Sequence, residues 1–279
     1  MSNRVESPEN TLHFISEGSG RPVILMHGFG ASHHDWTSLI SDLSRKGFRG
    51  LAPDLLGHGH SEKPAEPEAY TFARLYRSLE EWIACFEFKE PVMLVGHSMG
   101  GHLALQYAVH HLEKVQSLVL IDPYYDAKQL SPLIRFVNQN PGIGMKALQA
   151  APGWLIESLV DLDFFRSDQY APHVRRQIAE DYKRASPNIL RFAATIPKLD
   201  RQFERITVPI LVLWGEKDLT LDPGSFQKLV QALPNASGRA IPDCGHQPHL
   251  AKPLLVNNLI LDFLQSDAVQ AVKCPPGEP

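Results

Sequence analysis

The chain has 279 residues, 43% hydrophobic and 21% charged, enough to bury a sizeable core in one or two domains. A formal charge of −4 leaves no electrostatic footprint for nucleic acid, and no apolar run approaches the roughly 18 residues of a membrane span. Met1 to Pro8 has no apolar signal region, and the three cysteines form no Cys-x-x-Cys pair. The expectation is therefore a cytoplasmic chain with no disulfide framework, no zinc site and no nucleic-acid partner.

In chain order, the alternating segment Thr11 to Ser16 and the turn Glu17-Gly18-Ser19-Gly20 predict a hairpin feeding a fully buried strand at Pro22 to Met26. A helix is expected from about Trp36 to Ser44 and a short strand at Phe48 to Pro53. Leu75, Leu79, Trp82, Ile83 and Phe86 share helical spacing. A buried strand then runs to Val95 and a helix-like stretch from His102 to His111. Further buried strands are read at Val115 to Ile121 and Val208 to Trp214, a weaker one at Gly238 to Pro242, and a last helix at Pro253 to Gln265. The final 14 or so residues, from Ser266, have the composition of a disordered tail.

Continuous apolar strands alternating with helices predict an α/β fold with a mostly parallel central sheet covered on both faces. Ligands of such sheets bind at the carboxyl ends of the strands. The segment 123–205 breaks the rhythm. It carries helical stretches at 132–140, 153–162, 171–185 and 188–196 but no convincing strand. It reads as a helical cap inserted into a discontinuous core made of 1–122 and 206–279. Most of its aromatics are expected to pack the cap itself. Tyr124, Tyr125, Trp154 and Phe164 are the candidates for lining an apolar pocket.

The chemistry centres on Gly96-His97-Ser98-Met99-Gly100, which joins a strand to a helix. Alone, Gly-x-Ser-x-Gly is a weak signal, expected by chance in roughly one chain of this length in ten. In this context it predicts a strained turn that exposes the serine hydroxyl at a strand end, with glycines where a Cβ would collide with neighbouring backbone. A serine hydroxyl needs a base, and the base needs an orienting carboxylate. Among thirteen histidines the best base is His246, in a glycine-containing loop after the last strand, with His249 second. The carboxylate candidate is Asp218, with Glu216 and Asp222 as near rivals and Asp122 as an alternative at the end of another strand. The backbone N–H groups of Phe29 and Met99 are the expected oxyanion donors. No metal or organic cofactor is called for. The base must be neutral to act, so activity should fall below the reference histidine value of about 6.5.

Five segments carry a family resemblance: His27-Gly28-Phe29-Gly30, Asp54 to Ser61, Gly96 to Gly101, Gly215 to Asp218, and Gly245-His246. From about Leu12 to Leu264 the sequence resembles the α/β-hydrolase superfamily, including its Ser, Asp, His order along the chain. Epoxide hydrolases and haloalkane dehalogenases of that superfamily carry aspartate at the elbow, where this chain has Ser98. Meta-cleavage carbon–carbon hydrolases typically have asparagine before the serine and an aromatic after the catalytic histidine; His97 and Gln247 stand there instead. Perhydrolase relatives typically have phenylalanine at position 97. The chain is most similar to the capped serine esterases and monoacylglycerol lipases, where Gly-His-Ser-Met-Gly-Gly is common. The resemblance implies hydrolysis of a small-molecule carboxylic ester through an acyl-enzyme. The alternatives are hydrolysis of a carbon–carbon bond or a lactone by the same triad, and a non-catalytic receptor on the same fold.

Overall fold

The computed structural model describes residues 2–7, 10–131, 135 and 170–271. Its centre is an eight-stranded sheet: β1 (Ser2–Ser7), β2 (Asn10–Glu17), β3 (Arg21–Met26), β4 (Phe48–Pro53), β5 (Val92–His97), β6 (Val115–Ile121), β7 (Ile210–Gly215) and β8 (Ala236–Ile241). The spatial order is β1-β2-β4-β3-β5-β6-β7-β8. The β1–β2 and β2–β4 pairs are antiparallel, and every other pair is parallel.

Side-chain alternation sorts the central strands between two cores. Ile24, Met26, Leu94, Leu118, Leu120 and Val212 join one cluster; Val23, Leu25, Met93, Val95, Val119 and Leu213 join the other. Helices α2 (Phe72–Ala84), α3 (Met99–His110) and α5 (Gly224–Ala232) cover the first face. Helices α1 (Thr37–Arg45), α7 (Pro253–Leu264) and α8 (Asp267–Gln270) cover the second. Two faces buried at once explain why the strands read as unbroken apolar runs. Two further helices, α4 (Pro172–Arg184) and the short α6 (Pro248–Ala251), flank the carboxyl end of the sheet, as their contacts below show.

Two expectations are corrected. The segment after Gly18 does not fold back as a hairpin onto β2: β4 lies between β2 and β3, and β2 pairs instead with β1. The apolar, fully buried run Val23 to Met26 of β3 needs a strand on each side, and β3 takes β4 and β5 in parallel. The tail is also ordered further than its composition implied. Residues 267–270 are helical, Val269 is buried, and Gln116 Nε2 donates to its carbonyl at 3.1 Å. Within 123–205 the described residues hold no strand; Pro172–Arg184 is helical as expected, and Pro187–Thr195 and Asp200–Arg205 form 3₁₀ turns. The stretches 136–140 and 153–162 lie outside the described residues. Among those described, no helix is long and apolar enough to cross a membrane.

The glycines of the strand–turn–helix unit are steric necessities. A Cβ at Gly96 would overlap the carbonyl of Gly100, and one at Gly100 would overlap the carbonyl of Met26 in β3. Gly100→Ala is expected to cost about 3 kcal/mol or more, because the obstruction is backbone and cannot rotate away. Urea unfolding monitored by fluorescence, read beside wild type, checks it.

Candidate active site

At the carboxyl edge of the sheet, β5 ends at His97 and α3 begins at Met99. Ser98 between them adopts φ 50°, ψ −112°, a conformation that L-residues avoid. Neighbouring backbone holds it there: its N–H donates to Ile121 at 2.9 Å, and its carbonyl accepts from Tyr124 at 3.1 Å and His102 at 3.2 Å. The hydroxyl is thereby pinned above the sheet, beside the unpaired N–H groups that open α3.

Two loops bring the partners. A Cβ on Gly215, at the end of β7, would overlap the carbonyl of Gly245, so only glycine lets these loops meet. Their contact brings together residues 28 positions apart: His246 Nδ1 lies 2.8 Å from Asp218 Oδ2. His246 Nε2 lies 3.0 Å from Ser98 Oγ. An ionised carboxylate only accepts, so Nδ1 carries the proton and Nε2 is the acceptor for the hydroxyl. Asp218 Oδ1 accepts from the backbone of Thr220 at 2.8 Å and Leu221 at 3.0 Å, which fixes the carboxylate plane.

The rival residues are elsewhere. His249 stacks on Trp36 and faces Asp35 at 3.6 Å. Glu216 is exposed, and Asp222 Oδ1 accepts from the N–H of Gly224, the first residue of α5. Asp122, wholly buried at the end of β6, accepts from the Gly215 N–H at 2.9 Å, and it is Asp218 that bonds the imidazole.

The loop after β3 lies against Ser98. A Cβ on Gly28 would stand 3.3 Å from Ser98 Cβ and 2.7 Å from His97 Nδ1, which leaves room there only for a hydrogen. Phe29 is half-buried and its ring meets His58 edge-on. Gly30, at φ 73°, packs under the ring of Tyr182 from α4. The loop is also tied to α4 by Ser32 Oγ, which donates to Asp181 at 2.9 Å, and by His34 at 3.0 Å. The hydrogen bond that Asp181 accepts raises the His34 pKa against the opposing effect of burial.

Of the proposed pocket residues, Tyr124 braces the elbow through its N–H, and the Tyr125 hydroxyl donates to the Ser225 carbonyl at 2.7 Å. Trp154 and Phe164 lie outside the described residues.

Sequence reasoning missed the supporting histidines. His97 Nε2 donates to the backbone carbonyl of His246 at 2.8 Å. His27 accepts from the Leu55 N–H at 2.9 Å and donates to the Gly28 carbonyl at 2.8 Å, so it joins the loop after β3 to the loop after β4. Asp54 is buried and accepts from His13 and His33 side chains and from the His33 and His60 backbone. Burial acts to raise its pKa, but these donors hold it well below the usual carboxylate range. His97 and His27 are pushed down, chiefly by burial, and burial also takes His58 to about 3 and His102 to about 4. In the sequence these were only residues within motifs; nothing in the pattern signalled their hydrogen bonds.

A family profile described as alpha/beta hydrolase fold matches residues 21–253, and the chain belongs to that family. It is 29% identical over 267 residues to 2-hydroxy-6-oxo-6-(2'-aminophenyl)hexa-2,4-dienoic acid hydrolase of Metapseudomonas resinovorans, covering 91% of this chain and 88% of that one. It is 24% identical to the bifunctional epoxide hydrolase 2 of Sus scrofa, covering 94% of this chain but 54% of that one, so it spans about half the length of that relative. The solved structure of a thermophilic esterase from Thermogutta terrifontis superposes with a TM-score of 0.78 at 24% identity, over 95% of this chain and 98% of that one, which shows the shared fold.

The buried neutral histidines carry a stability consequence. His58 and His102 stay unprotonated in the folded state down to about 3 and about 4, whereas in the unfolded chain they protonate near the reference value of 6.5. Below that value the unfolded state binds more protons, so folding stability falls with pH. Each such group contributes a loss approaching about 1.4 kcal/mol per pH unit between about 6.5 and its folded pKa. Urea midpoints measured from pH 7 to pH 5 should fall steadily, and His102→Gln should flatten the slope.

Proposed function

We propose that the protein is a serine hydrolase of carboxylic esters, and that residues 123–205 act as a cap over its site. The observation that carries the reading is the continuous hydrogen-bonded line from Ser98 Oγ through the His246 imidazole to the doubly braced carboxylate of Asp218. In this reading Oγ attacks the ester carbonyl as His246 Nε2 takes its proton. Asp218 keeps the imidazole in the Nδ1–H tautomer and stabilises the imidazolium. The N–H groups of Phe29 and Met99 stabilise the oxyanion; the α3 N-terminus adds favourable dipole. His246 then protonates the departing alcohol, and a water activated by the same nitrogen cleaves the acyl-enzyme. No step calls for a metal or an organic cofactor. The partner is a small-molecule ester.

Ser98 argues against epoxide opening. Attack by a serine oxygen on an epoxide carbon would leave an ether, which water does not cleave, whereas attack by a carboxylate leaves a hydrolysable ester. A second reading, hydrolysis of a carbon–carbon bond by the same triad, is favoured by the 29% identity to the dienoic acid hydrolase. A panel of p-nitrophenyl esters of graded chain length, lactones and meta-cleavage products separates the two. The proposal expects turnover of esters. Turnover of the meta-cleavage product alone would favour the second reading, and no turnover of any, with no labelling of Ser98 by a fluorophosphonate, would favour a non-catalytic receptor.

Ser98→Ala should lower kcat by roughly 10⁶-fold. Asp218→Asn should lower it by roughly 10⁴-fold, because the imidazole loses the partner that sets its tautomer. Steady-state kinetics on the best ester of the panel measure both.

A further inference from the structure

Two buried carboxyl groups lie close to one imidazole. Asp122, at the end of β6, is fully buried, and Asp218 is 4% exposed. One oxygen of each and one nitrogen of His246 all lie within 4.8 Å of one another. Asp122 is held in this position at a backbone cost: it has φ 41°, while its N–H donates to the Leu213 carbonyl at 2.8 Å. Its Oδ1 accepts from Gly215, but its Oδ2 has no donor and turns toward Asp218. An ionised Asp122 would leave a buried acceptor facing a second acceptor, with one imidazole between two negative charges. A proton on Oδ2 removes both faults at once, turning the orphaned acceptor into a donor for the Asp218 carboxylate.

We infer that Asp122 is a positioning residue that stays protonated at neutral pH and donates a hydrogen bond to Asp218. This rests on the triad reading above. The groups facing Asp122 agree with it. Asp218 and His246 lie on the loops after β7 and β8, and beside them is the Cys244 thiol, itself pushed up to about 12 chiefly by burial. Burial first, and then the charge of Asp218, raise the Asp122 pKa well above the carboxylate range. Asp218 remains the single anion opposite His246, and the proton on Asp122 stays there through the catalytic cycle.

Asparagine mimics a protonated aspartate here: its carbonyl can accept from Gly215 and its amide can donate to Asp218. The test compares Asp122→Asn and Asp122→Leu by the pH profile of kcat/KM on an ester substrate. The expected result is an acid limb in Asp122→Asn within about 0.5 pH unit of wild type, and kcat within a few-fold. Asp122→Leu, which cannot donate, should lose kcat by about tenfold or more with KM little changed. Were Asp122 ionised, removing its charge from within 4.8 Å of the imidazole would lower the acid limb by roughly 2 pH units, and a shift of that size overturns the inference. An infrared difference spectrum keeps the test independent of how the variants fold. Wild type at neutral pH should show the carbonyl band of a buried protonated carboxylic acid, and its absence also overturns the inference. Failure of the triad reading looks different: Asp218→Asn would then retain full activity whatever Asp122 does.

Discussion

Backbone approaching backbone at the carboxyl edge of the sheet is the constraint on which everything else rests. Ser98 can sit at φ 50° only because Gly96 and Gly100 let the elbow close against β3 and the first turn of α3. Asp218 and His246 meet only because Gly215 allows the loop at Gly245 to touch it. Gly28 lets the loop after β3 lie against Ser98 in the same way. In each place a methyl group would push apart two segments that the site needs in contact. The twin cores above and below the sheet supply the stability that holds these approaches.

A second principle is electrostatic economy in a closed interior. The site is surrounded by imidazoles that burial keeps neutral, such as His97 behind His246 and His27 at the start of the loop after β3. His27 bonds through both ring nitrogens and His97 through Nε2 alone, so each acts as a hydrogen-bonding strut rather than as a charge. Charge is concentrated where several donors meet it: Asp54 accepts from four and Asp218 from three. The Asp122 inference follows the same logic, since a second anion beside Asp218 would have too few donors.

Much of this was legible in the sequence for physical reasons. Strands buried on both faces are apolar throughout, so β3, β5, β6 and β7 stood out, and Ser98 and His246, with Asp218 and Asp122 as rival carboxylates, follow from elbow context and chain order. Spatial order was not legible: nothing in residues 11–26 says that β4, more than 20 residues further on, slides between β2 and β3. Nor could a pattern separate Asp218 from Asp122, because both end buried strands and only the Gly215–Gly245 contact decides which one reaches the imidazole. Val269 was one of two valines in a tail of small and polar residues, too little to signal a packed helix.

The central claim is that Ser98 forms a covalent acyl intermediate with an ester. Intact-protein mass spectrometry after acid quench of a reaction with a slowly deacylating p-nitrophenyl ester tests it directly. The account predicts a mass increase of one acyl group, mapped by peptide digestion to Ser98 and absent from Ser98→Ala. Ester turnover with no adduct at Ser98, or an adduct that persists in Ser98→Ala, would contradict it.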